Sequence, residues 1–419
     1  MYTLKNVRMI DPKSSTDTIT NITINEDLIY KIGEIPAESE IIDCSGLIVG
    51  PGLIDVHVHF RDPGQTYKED IITGANAAKH GGFTTVIMMA NTKPVIDNVE
   101  TLKYVLEKGK QTGIHVLSCA SITKDMKQQE LVDMESLLKE GAAGFTDDGL
   151  PILDEKLLKQ AMEKAVELHT VLSFHEEDPL FIKQPGVNMG KVSKALNYGG
   201  ASATAEDVMV ARDSIIALDT GARISIQHLS SKNSVALIRT IKALGADLHA
   251  EATPHHFSLT EDIVLEKGTY ARMNPPLRTK EDQEAIIEGL KDGTIDIIVT
   301  DHAPHSTEEK AKPMDKAPSG IIGLETSLAL GITNLVHKGH LSMLQLLEKM
   351  TINPARFYNL ETGYIEEGNK ADLVVFDENE KWVVQKFASK ASNSPFTGMT
   401  LEGKVKYTIC EGKIVYQDK

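Results

Sequence analysis

The chain of 419 residues is 41% hydrophobic and 25% charged, a composition that is typical of a folded protein with a large core and argues against global disorder. Its formal net charge of −16 argues against nucleic acid or an anionic membrane as a partner, because nothing would balance the repulsion by phosphate groups. We expect a cytoplasmic protein, since three widely spaced cysteines fit a reducing compartment and the sequence has neither a signal pattern nor an apolar run of membrane-spanning length.

The two ends of the chain contain short alternating apolar runs separated by turns. Examples are Thr18–Ile24 and Leu28–Ile32 near the N-terminus, and Ala371–Asp377 and Val405–Cys410 near the C-terminus. Neither end alone has enough strands for a stable sheet. We therefore predict that residues 1–49 and 361–419 together form one small β-sandwich domain.

Between the two ends, β-branched apolar runs alternate with segments of helical periodicity. The predicted strands are Leu53–His59, Phe83–Ala90, Val116–Ile122, Ala142–Asp148, Val171–Glu176, Ile224–Leu229, Asp247–Thr253 and Ile295–Thr300. The predicted helices include Lys68–His80, Val99–Lys110, Asp154–His169, Ala205–Leu218, Ser234–Leu244 and Lys280–Lys291. Eight such units predict a closed, TIM-like (β/α)₈ barrel of the α/β class over residues 50–360. An open doubly wound sheet is disfavoured, because no glycine-rich phosphate loop follows the first strand.

Two long irregular stretches, Asp178–Thr204 and Asp301–Gly320, follow the fifth and eighth predicted strands. Loops of this length are usually functional or mobile, and both lie on the active-site face of the predicted barrel. The second stretch is a candidate for a loop that moves over a bound substrate.

The first barrel strand ends in an apolar run that carries His57 and His59. Residues i and i+2 of a strand face the same way, so both imidazoles are expected on one side, and Arg61 follows with the same parity. An isolated pair of this kind is more often two histidines on a polar strand face. The pair has to be interpreted together with the other strand ends.

Three further strand ends carry groups that bind metals: His175, His228 and Asp301. Because the carboxyl ends of barrel strands converge on one mouth, these groups are expected to meet His57 and His59 there. Four imidazoles and one carboxylate form a site that suits zinc or a similar divalent ion. Such an ion lowers the pKa of bound water to roughly 7, and Asp301 is placed to transfer the proton or to bind the metal.

Asp147 and Asp148 end the fourth predicted strand before Gly149. They are either turn residues or include a ligand that bridges two metals, and Asp148, which is nearer to the mouth, is the preferred candidate. His255 and His256 follow the seventh strand, and we interpret them as supporting or structural residues rather than ligands.

The chain resembles the amidohydrolase superfamily over nearly its whole length, and within it the bacterial type I dihydroorotases of pyrimidine biosynthesis. The supporting phrases are His57-Val58-His59-Phe60-Arg61-Asp62-Pro63-Gly64, Met88-Met89-Ala90-Asn91-Thr92-Lys93-Pro94, Met273-Asn274-Pro275-Pro276-Leu277-Arg278, Thr300-Asp301-His302-Ala303-Pro304-His305 and Ser394-Pro395-Phe396 with Gly398. A C-terminal phrase, Gly363–Val375, looks like the superfamily's return into the sandwich.

The resemblance implies a role for each matching residue. The metal ligands would be His57, His59, Asp148, His175, His228 and Asp301, with Asp148 as the bridging carboxylate and Asp301 as the catalytic acid and base. The substrate would contact His59, Arg61, Asn91, Asn274, His305, Ser319 and Gly320. The implied cofactor is zinc, one or two ions per subunit with two preferred, and the implied assembly is a homodimer that could associate with an aspartate carbamoyltransferase.

One departure narrows the resemblance. Many relatives bridge two metals with a carboxylated lysine, but Ala142–Asp148 contains no lysine, and Lys139 lies in the preceding helix. Type I dihydroorotases use an aspartate instead. One alternative is another cyclic amidase, such as an allantoinase or hydantoinase. The other is a non-catalytic dihydroorotase-like subunit that scaffolds an aspartate carbamoyltransferase; such subunits are expected to have lost metal ligands, whereas every ligand position here is filled.

Overall fold

The N-terminal part of the chain forms strands because β-branched residues alternate with polar ones, as in the Thr-Ile repeats before residue 25. In the computed structural model, which describes residues 1–418, five strands precede the barrel. They are β1 (Tyr2–Asp11), β2 (Thr16–Asn25), β3 (Leu28–Ile32), β4 (Glu40–Asp43) and β5 (Ile48–Pro51). β1 pairs with β2 in antiparallel fashion and with β4 and β5 in parallel fashion.

The central part of the chain contains the parallel strands of the barrel. They are β6 (Leu53–Val58), β7 (Phe83–Met88), β8 (His115–Ser118), β9 (Leu172–Phe174), β10 (Ile224–Ile226), β11 (Leu248–Ala252) and β12 (Ile297–Ile298). They form two parallel groups, β6-β7-β8 and β9-β10-β11-β12. All seven strands are shorter than the predicted runs, and all but β8, which begins one residue earlier at His115, lie within them. Each run continues past its last ladder pair into the loops at the barrel mouth.

The predicted strand Ala142–Asp148 is a short, irregular barrel segment in the structure. Phe145 forms parallel bridges with Ala120 on one side and Leu172 on the other, and Ala143, Gly144 and Thr146 add backbone hydrogen bonds to the segment Ser118–Ala120. The ladder ends after Thr146, where the Asp147 carboxylate accepts the backbone N–H groups of Ile122 and Thr123. Phe145 nevertheless joins the two groups of barrel strands.

The first and last barrel strands close the ring. Val58 bridges to His302, and the His59 N–H donates to the His302 carbonyl at 2.9 Å. Nearer the start of β6, the Asp55 carboxylate accepts the Thr300 N–H at 3.1 Å and the Thr300 hydroxyl at 2.5 Å. This closure places the end of β6 beside the residues that follow β12.

Helices surround the barrel and cover the connections. They are α1 (Ile71–His80), α2 (Val99–Gly109), α3 (Met134–Lys139), α4 (Glu155–Glu167), α5 (Lys191–Ala195), α6 (Thr204–Thr220), α7 (Lys232–Ala243), α8 (Pro254–Ser258), α9 (Val264–Lys267), α10 (Lys280–Asp292), α11 (Thr307–Lys310), α12 (Ser327–Gly331), α13 (Met343–Met350) and α14 (Ile352–Phe357). Short 3₁₀ turns lie at Lys124–Met126, Pro179–Phe181, Glu261–Ile263, Gly268–Ala271 and Leu324–Thr326, and a π turn lies at Ile332–Val336. α1 begins three residues later than predicted, because Asp70 caps it by accepting the N–H groups of Ile72 and Thr73. None of the helices in residues 1–418 is long and apolar enough to cross a membrane.

The C-terminal strands return to the N-terminal ones. They are β13 (Leu373–Val383), β14 (Thr400–Cys410) and β15 (Lys413–Gln417). The resulting sheet has the order β15-β14-β13-β5-β1-β2-β3, with β4 beside β1. A separate hydrophobic core draws residues from both ends of the chain, including Leu4, Ile22, Leu373 and Ile409. Both ends therefore build one sheet, while the division into domains at residues 50 and 360 stays a prediction.

Candidate metal centre and substrate cavity

Closure of the barrel brings the two histidines of the first strand next to Asp301. Asp301 Oδ1 lies 3.0 Å from His59 Nε2 and 3.6 Å from His57 Nε2. His57 belongs to β6 and His59 directly follows it, whereas Asp301 lies three residues after β12. All three side chains are almost completely buried. The structure therefore places Asp301 beside His57 and His59, as expected from the convergence of the strand ends at the barrel mouth.

The Asp148 carboxylate lies in the middle of the four histidines. Its Oδ1 is 3.5 Å from His57 Nε2, 3.7 Å from His175 Nδ1 and 4.0 Å from His228 Nε2. Its Oδ2 is 3.4 Å from His59 Nε2. Asp147, by contrast, faces the backbone of Ile122 and Thr123. Of the two aspartates considered from the sequence, Asp148 is the one that faces the cluster.

The orientation of His57 is fixed from behind. Its Nδ1 donates to Glu251 Oε2 at 3.1 Å, and the other oxygen of Glu251 accepts the Ser225 hydroxyl at 3.2 Å. His57 Nε2 is buried and lacks a hydrogen-bond partner among the described residues. A carboxylate that holds one ring nitrogen and directs the other at the cluster is how a metal-binding histidine is usually supported.

Glu177 fixes the orientation of His175 in the same way. Its Oε2 accepts from His175 Nε2 at 3.0 Å, which leaves His175 Nδ1 facing His228 Nε2 at 3.0 Å. Neither Glu251 nor Glu177 was identified from the sequence. The available signal was a carboxylate within a buried strand for Glu251, but the partner histidine lies 194 residues away along the chain.

The electrostatics of the cluster follow from burial and mutual contact. Burial alone would lower the pKa of His57, but the carboxylates of Asp148, Glu251 and Asp301 raise it well above its usual range. Burial would raise the pKa of Asp148, but the neighbouring histidines hold it well below its usual range. Burial, together with His175 and His57, lowers the pKa of His228. Asp148 is thus ionised and His228 neutral, the states in which each binds a cation.

The residues at this mouth fit a divalent cation. Two groups of three residues each offer donor atoms that lie within 4.8 Å of one another inside the group. The groups are His57, His59 and Asp301, and His57, Asp148 and His228. The unpartnered His57 Nε2 belongs to both groups. Imidazole nitrogens and carboxylate oxygens without sulfur form the donor set that zinc and similar ions accept.

A cavity of about 200 Å³ opens beside the cluster. It is lined by His59, Arg61, Asn91, Asp148, Gly149, His175, His228, Asn274, Asp301, Ala303, His305, Ser319 and Gly320. Every residue predicted to contact a substrate is in this lining. The structure therefore brings the predicted substrate residues together with five of the six predicted ligands, and His57 lies behind them.

Arg61 forms the cationic wall of the cavity, and the His305 imidazole lies beside it. Arg61 Nε donates to the Pro304 carbonyl at 3.3 Å, and its Nη2 lies 3.4 Å from His305 Nε2. His305 Nε2 donates to the Ser319 carbonyl at 2.8 Å, so its Nδ1 accepts from Lys68 Nζ at 3.3 Å. Burial and the charges of Arg61 and Lys68 lower the pKa of His305, which keeps the imidazole neutral.

Two asparagines complete the polar lining. Asn91 Oδ1 accepts from His59 Nδ1 at 3.0 Å, and its Nδ2 donates to Asp148 Oδ2 at 3.0 Å. Asn91 is therefore placed beside two metal-ligand candidates as well as on the cavity surface. Asn274 Oδ1 is buried without a hydrogen-bond partner among the described residues, so it offers a free acceptor at the cavity.

The loop Asp301–Gly320 forms one side of the cavity and is held together by hydrogen bonds between its own residues. Ser306 caps the short helix α11, and the buried Lys310 Nζ donates to the carbonyls of Pro318 and Gly320 at 3.0 Å each. Burial lowers the pKa of Lys310 to about 7. These bonds set the positions of Ser319 and Gly320.

His255 and His256 lie outside the cavity lining. His256 Nδ1 pairs with the Thr253 hydroxyl at 2.8 Å, and its Nε2 donates to the Pro275 carbonyl at 3.1 Å. Burial lowers the pKa of His256 to about 4. Both ring nitrogens of His256 are engaged, as expected of a structural residue.

Comparison with known proteins gives matches over the whole chain. The amidohydrolase family model matches residues 48–415. A dihydroorotase from Clostridioides difficile (strain 630) is 62% identical over 419 residues, which cover 99% of this chain and 100% of that protein. A dihydroorotase from Clostridium acetobutylicum is 54% identical over 424 residues, which cover 100% of both chains. Among solved structures, L-hydantoinase (dihydropyrimidinase) from Arthrobacter aurescens has a TM-score of 0.87 at 26% identity, covering 100% of this chain and 96% of that one.

Proposed function

The chain belongs to the amidohydrolase family, and from this premise we infer that it is a dihydroorotase. It hydrolyses the ring amide of (S)-dihydroorotate to N-carbamoyl-L-aspartate and, in the biosynthetic direction towards UMP, closes the ring. The observation that carries this conclusion is full-length identity of 51–62% to dihydroorotases. The cavity supports it, because a cationic wall for a carboxylate lies beside a cluster that fits divalent cations.

We propose that the cluster holds two zinc ions. Six residues would hold them: His57, His59, Asp148, His175, His228 and Asp301. The central position of Asp148 supports its role as the shared ligand, since its oxygens face all four histidines. Bound divalent ions supply Lewis acidity, which lowers the pKa of water and polarises a carbonyl.

Asp301 is proposed as the residue that moves the proton. Its carboxylate borders the cavity and lies 3.0 Å from His59, so it faces both the metal cluster and the substrate space. In the hydrolytic direction Asp301 accepts the proton of the attacking water and delivers it to the leaving ring nitrogen. By microscopic reversibility, the protonated Asp301 returns the proton when the ring closes and water leaves.

The cavity wall is proposed to orient the ring. The Arg61 guanidinium binds the carboxylate of dihydroorotate with charge-assisted hydrogen bonds, and Asn91 and His305 lie close enough to complete that subsite. The unpartnered Asn274 Oδ1 accepts a ring N–H, and the Ser319 and Gly320 backbone contacts the opposite edge. The scissile carbonyl is then directed towards His59, Asp148 and Asp301.

Replacing Arg61 with glutamine is expected to lower kcat/KM for dihydroorotate by about 10- to 100-fold, because a hydrogen bond to a charged group contributes roughly 1.5–3 kcal/mol. Steady-state kinetics with dihydroorotate and with dihydrouracil, a ring without the carboxylate, measure this effect. Arg8→Gln is the control, since Arg8 pairs with Asp17 on the surface of the sheet. Unchanged preference for dihydroorotate in Arg61→Gln would show that Arg61 does not read the carboxylate.

The same substrate panel tests the related activities. An allantoinase or hydantoinase acts on a ring that lacks the dihydroorotate carboxylate, so it has no need of a cationic wall at this position. We expect dihydroorotate to be the preferred substrate over allantoin, hydantoin and dihydrouracil. Faster turnover of one of these other rings would reassign the activity within the family.

Replacing Glu251 with glutamine is expected to weaken metal binding by about 10- to 100-fold, because the support of a ligating histidine typically contributes that much. The mutation keeps the size of the side chain but removes the charge that holds His57 Nδ1. Competition with a chelator measures the metal affinity, and Glu266→Gln, at an exposed position, is the control. Equal metal affinity of Glu251→Gln and the wild type would remove Glu251 from the support of the site.

The activity is tested by metal analysis combined with a ring-opening assay on the same preparation. We expect divalent metal to co-purify with the chain and chelation to abolish dihydroorotate hydrolysis, which zinc then restores. Full metal content without turnover would favour the non-catalytic scaffold subunit instead.

The assembly and location are proposals of the same kind. We propose a cytoplasmic homodimer, supported for its location by three free and buried cysteines, Cys44, Cys119 and Cys410. Light scattering tests the dimer, and co-elution tests an association with aspartate carbamoyltransferase.

We also propose that the loop Asp301–Gly320 moves over the bound substrate. Protease accessibility of this loop that is the same with and without dihydroorotate would count against a closing movement.

A further inference from the structure

We propose that the chain carries a second, sulfur-containing metal site, formed by His115, Asp372 and Cys410 at the junction of the barrel and the end sheet. One donor atom from each of these residues lies within 4.8 Å of the other two. None of the three belongs to the cavity described above. The site is independent of the proposed dihydroorotase activity.

Three separate segments supply the donors. His115 is the first residue of β8, at the end of the barrel opposite the mouth, Asp372 directly precedes β13, and Cys410 is the last residue of β14. The register of the sheet pairs Leu373 with Ile409, which sets Asp372 next to Cys410. The backbone thus fixes the two sheet donors, and the barrel brings the imidazole to them.

The carboxylate is held in a defined orientation. Asp372 Oδ1 accepts the Glu411 N–H at 2.7 Å, and its Oδ2 lies 3.0 Å from His115 Nε2. Asp372 and Cys410 are buried at 6% and 3% relative exposure. A carboxylate, an imidazole and a thiol so close together form a mixed oxygen, nitrogen and sulfur donor set, which suits zinc and other borderline or soft ions.

The geometry does not suit a nucleophilic cysteine. In a nucleophile–histidine–carboxylate relay the thiol donates to the imidazole, whereas here the Cys410 thiol donates to the Thr84 carbonyl at 3.9 Å and the imidazole pairs with Asp372. Burial and the neighbouring Asp372 raise the pKa of the Cys410 thiol, so a free thiolate is not available. Metal binding does not need a preformed thiolate, because a coordinated thiol loses its proton.

Two of the three donor residues face a cavity through which an ion can approach from solvent. His115 and Cys410 line a cavity of about 550 Å³ that Glu411 also borders, and the His115 side chain is 35% exposed. The cavity leaves room for water as a further ligand. On binding, the Cys410 Sγ–H bond breaks and its proton goes to solvent, while the His115 proton moves from Nε2 to Nδ1. The metal bonds replace the hydrogen bond between His115 and Asp372 and the one that the Cys410 thiol donates to the Thr84 carbonyl.

Cobalt binding tests the site, because only a thiolate ligand gives cobalt an intense sulfur-to-metal charge-transfer absorption in the near ultraviolet. The proposed catalytic cluster contains nitrogen and oxygen donors alone. Full-length protein that has been freed of metal with a chelator is titrated with Co²⁺. We expect the absorption to saturate in the wild type and to be absent in Cys410→Ser, with one metal ion fewer per chain by elemental analysis.

The other two buried cysteines are matched controls. Cys44 lies in the core of the end sheet, and Cys119 contacts the Tyr358 hydroxyl at 3.6 Å. Cys44→Ser and Cys119→Ser are expected to keep the absorption. Should Cys410→Ser fail to fold, His115→Gln at its partly exposed position is expected to raise the cobalt concentration for half-saturation by about tenfold or more.

Two results would overturn the proposal. One is a wild-type protein that shows no charge-transfer absorption when saturated with cobalt. The other is an absorption and a metal content that are equal in the wild type and Cys410→Ser. In either case His115 and Asp372 form only an ion pair between the barrel and the sheet.

Discussion

Replacing Asp301 with asparagine is expected to lower kcat for dihydroorotate hydrolysis by about 10²- to 10⁴-fold, the range that a positioned proton-transfer residue contributes. Asparagine has nearly the same shape but cannot accept and return the proton. Ring closure of N-carbamoyl-L-aspartate should fall by the same factor, because one residue serves both directions. Initial rates in both directions, at saturating substrate and with added zinc, measure the effect.

The control for this change is Asp315→Asn. Asp315 lies in the same loop but is exposed and outside the cavity lining, so its replacement should leave both rates unchanged. Metal analysis of Asp301→Asn separates the two roles of the carboxylate. Loss of activity with full metal content indicates proton transfer, whereas an Asp301→Asn enzyme with more than a tenth of the wild-type kcat would disprove that role.

Replacing Asp148 with asparagine is expected to leave at most one ion in the catalytic cluster and to lower kcat by about 10²- to 10³-fold. Asp148 is the only carboxylate in the cavity lining that faces all four histidines, and an amide in its place has no charge to hold two cations together. Loss of several kcal/mol of charge stabilisation corresponds to this change in rate. Elemental analysis and steady-state kinetics measure the two effects.

Asp147→Asn provides a closely matched comparison. Asp147 is the neighbouring aspartate and is also buried, but it binds the backbone of Ile122 and Thr123, and burial raises its pKa to about 6. Its replacement should change thermal stability and leave the metal content intact. If Asp147→Asn loses metal while Asp148→Asn keeps it, the assignment of the bridging ligand is reversed.

Much of the fold could be predicted from the sequence because its patterns are local. Apolar runs with β-branched residues predicted seven of the barrel strands, and helical periodicity predicted the main outer helices. The run at Ala142–Asp148 makes barrel hydrogen bonds only as far as Thr146, and beyond it the Asp147 carboxylate binds the backbone N–H groups of Ile122 and Thr123. Hydrophobic pattern alone does not contain that information.

Some residues of the candidate site could likewise be predicted from local sequence patterns, and others could not. His57, His59, His175 and His228 were identifiable because each follows an apolar run that ends at the barrel mouth. Glu251, Glu177, Lys68 and Lys310 were not identified, since their importance depends on partners that only the folded chain supplies. For Asn274 and His305, which lie in loops, the family resemblance provided what periodicity could not.

The closure of the barrel between β6 and the residues after β12 affects the order in which the protein can mature. His57 and His59 are contributed by the first barrel strand and Asp301 by the last, and Asp55 and Thr300 join these strands. A nascent chain released only up to β11 lacks Asp301 and the hydrogen bonds that close the ring. Closure of the barrel pairs residues that are 245 positions apart in the sequence, which places it among the slow, non-local steps of folding. Assembly of the proposed metal cluster therefore requires a chain whose synthesis has passed Asp301 and whose barrel has closed.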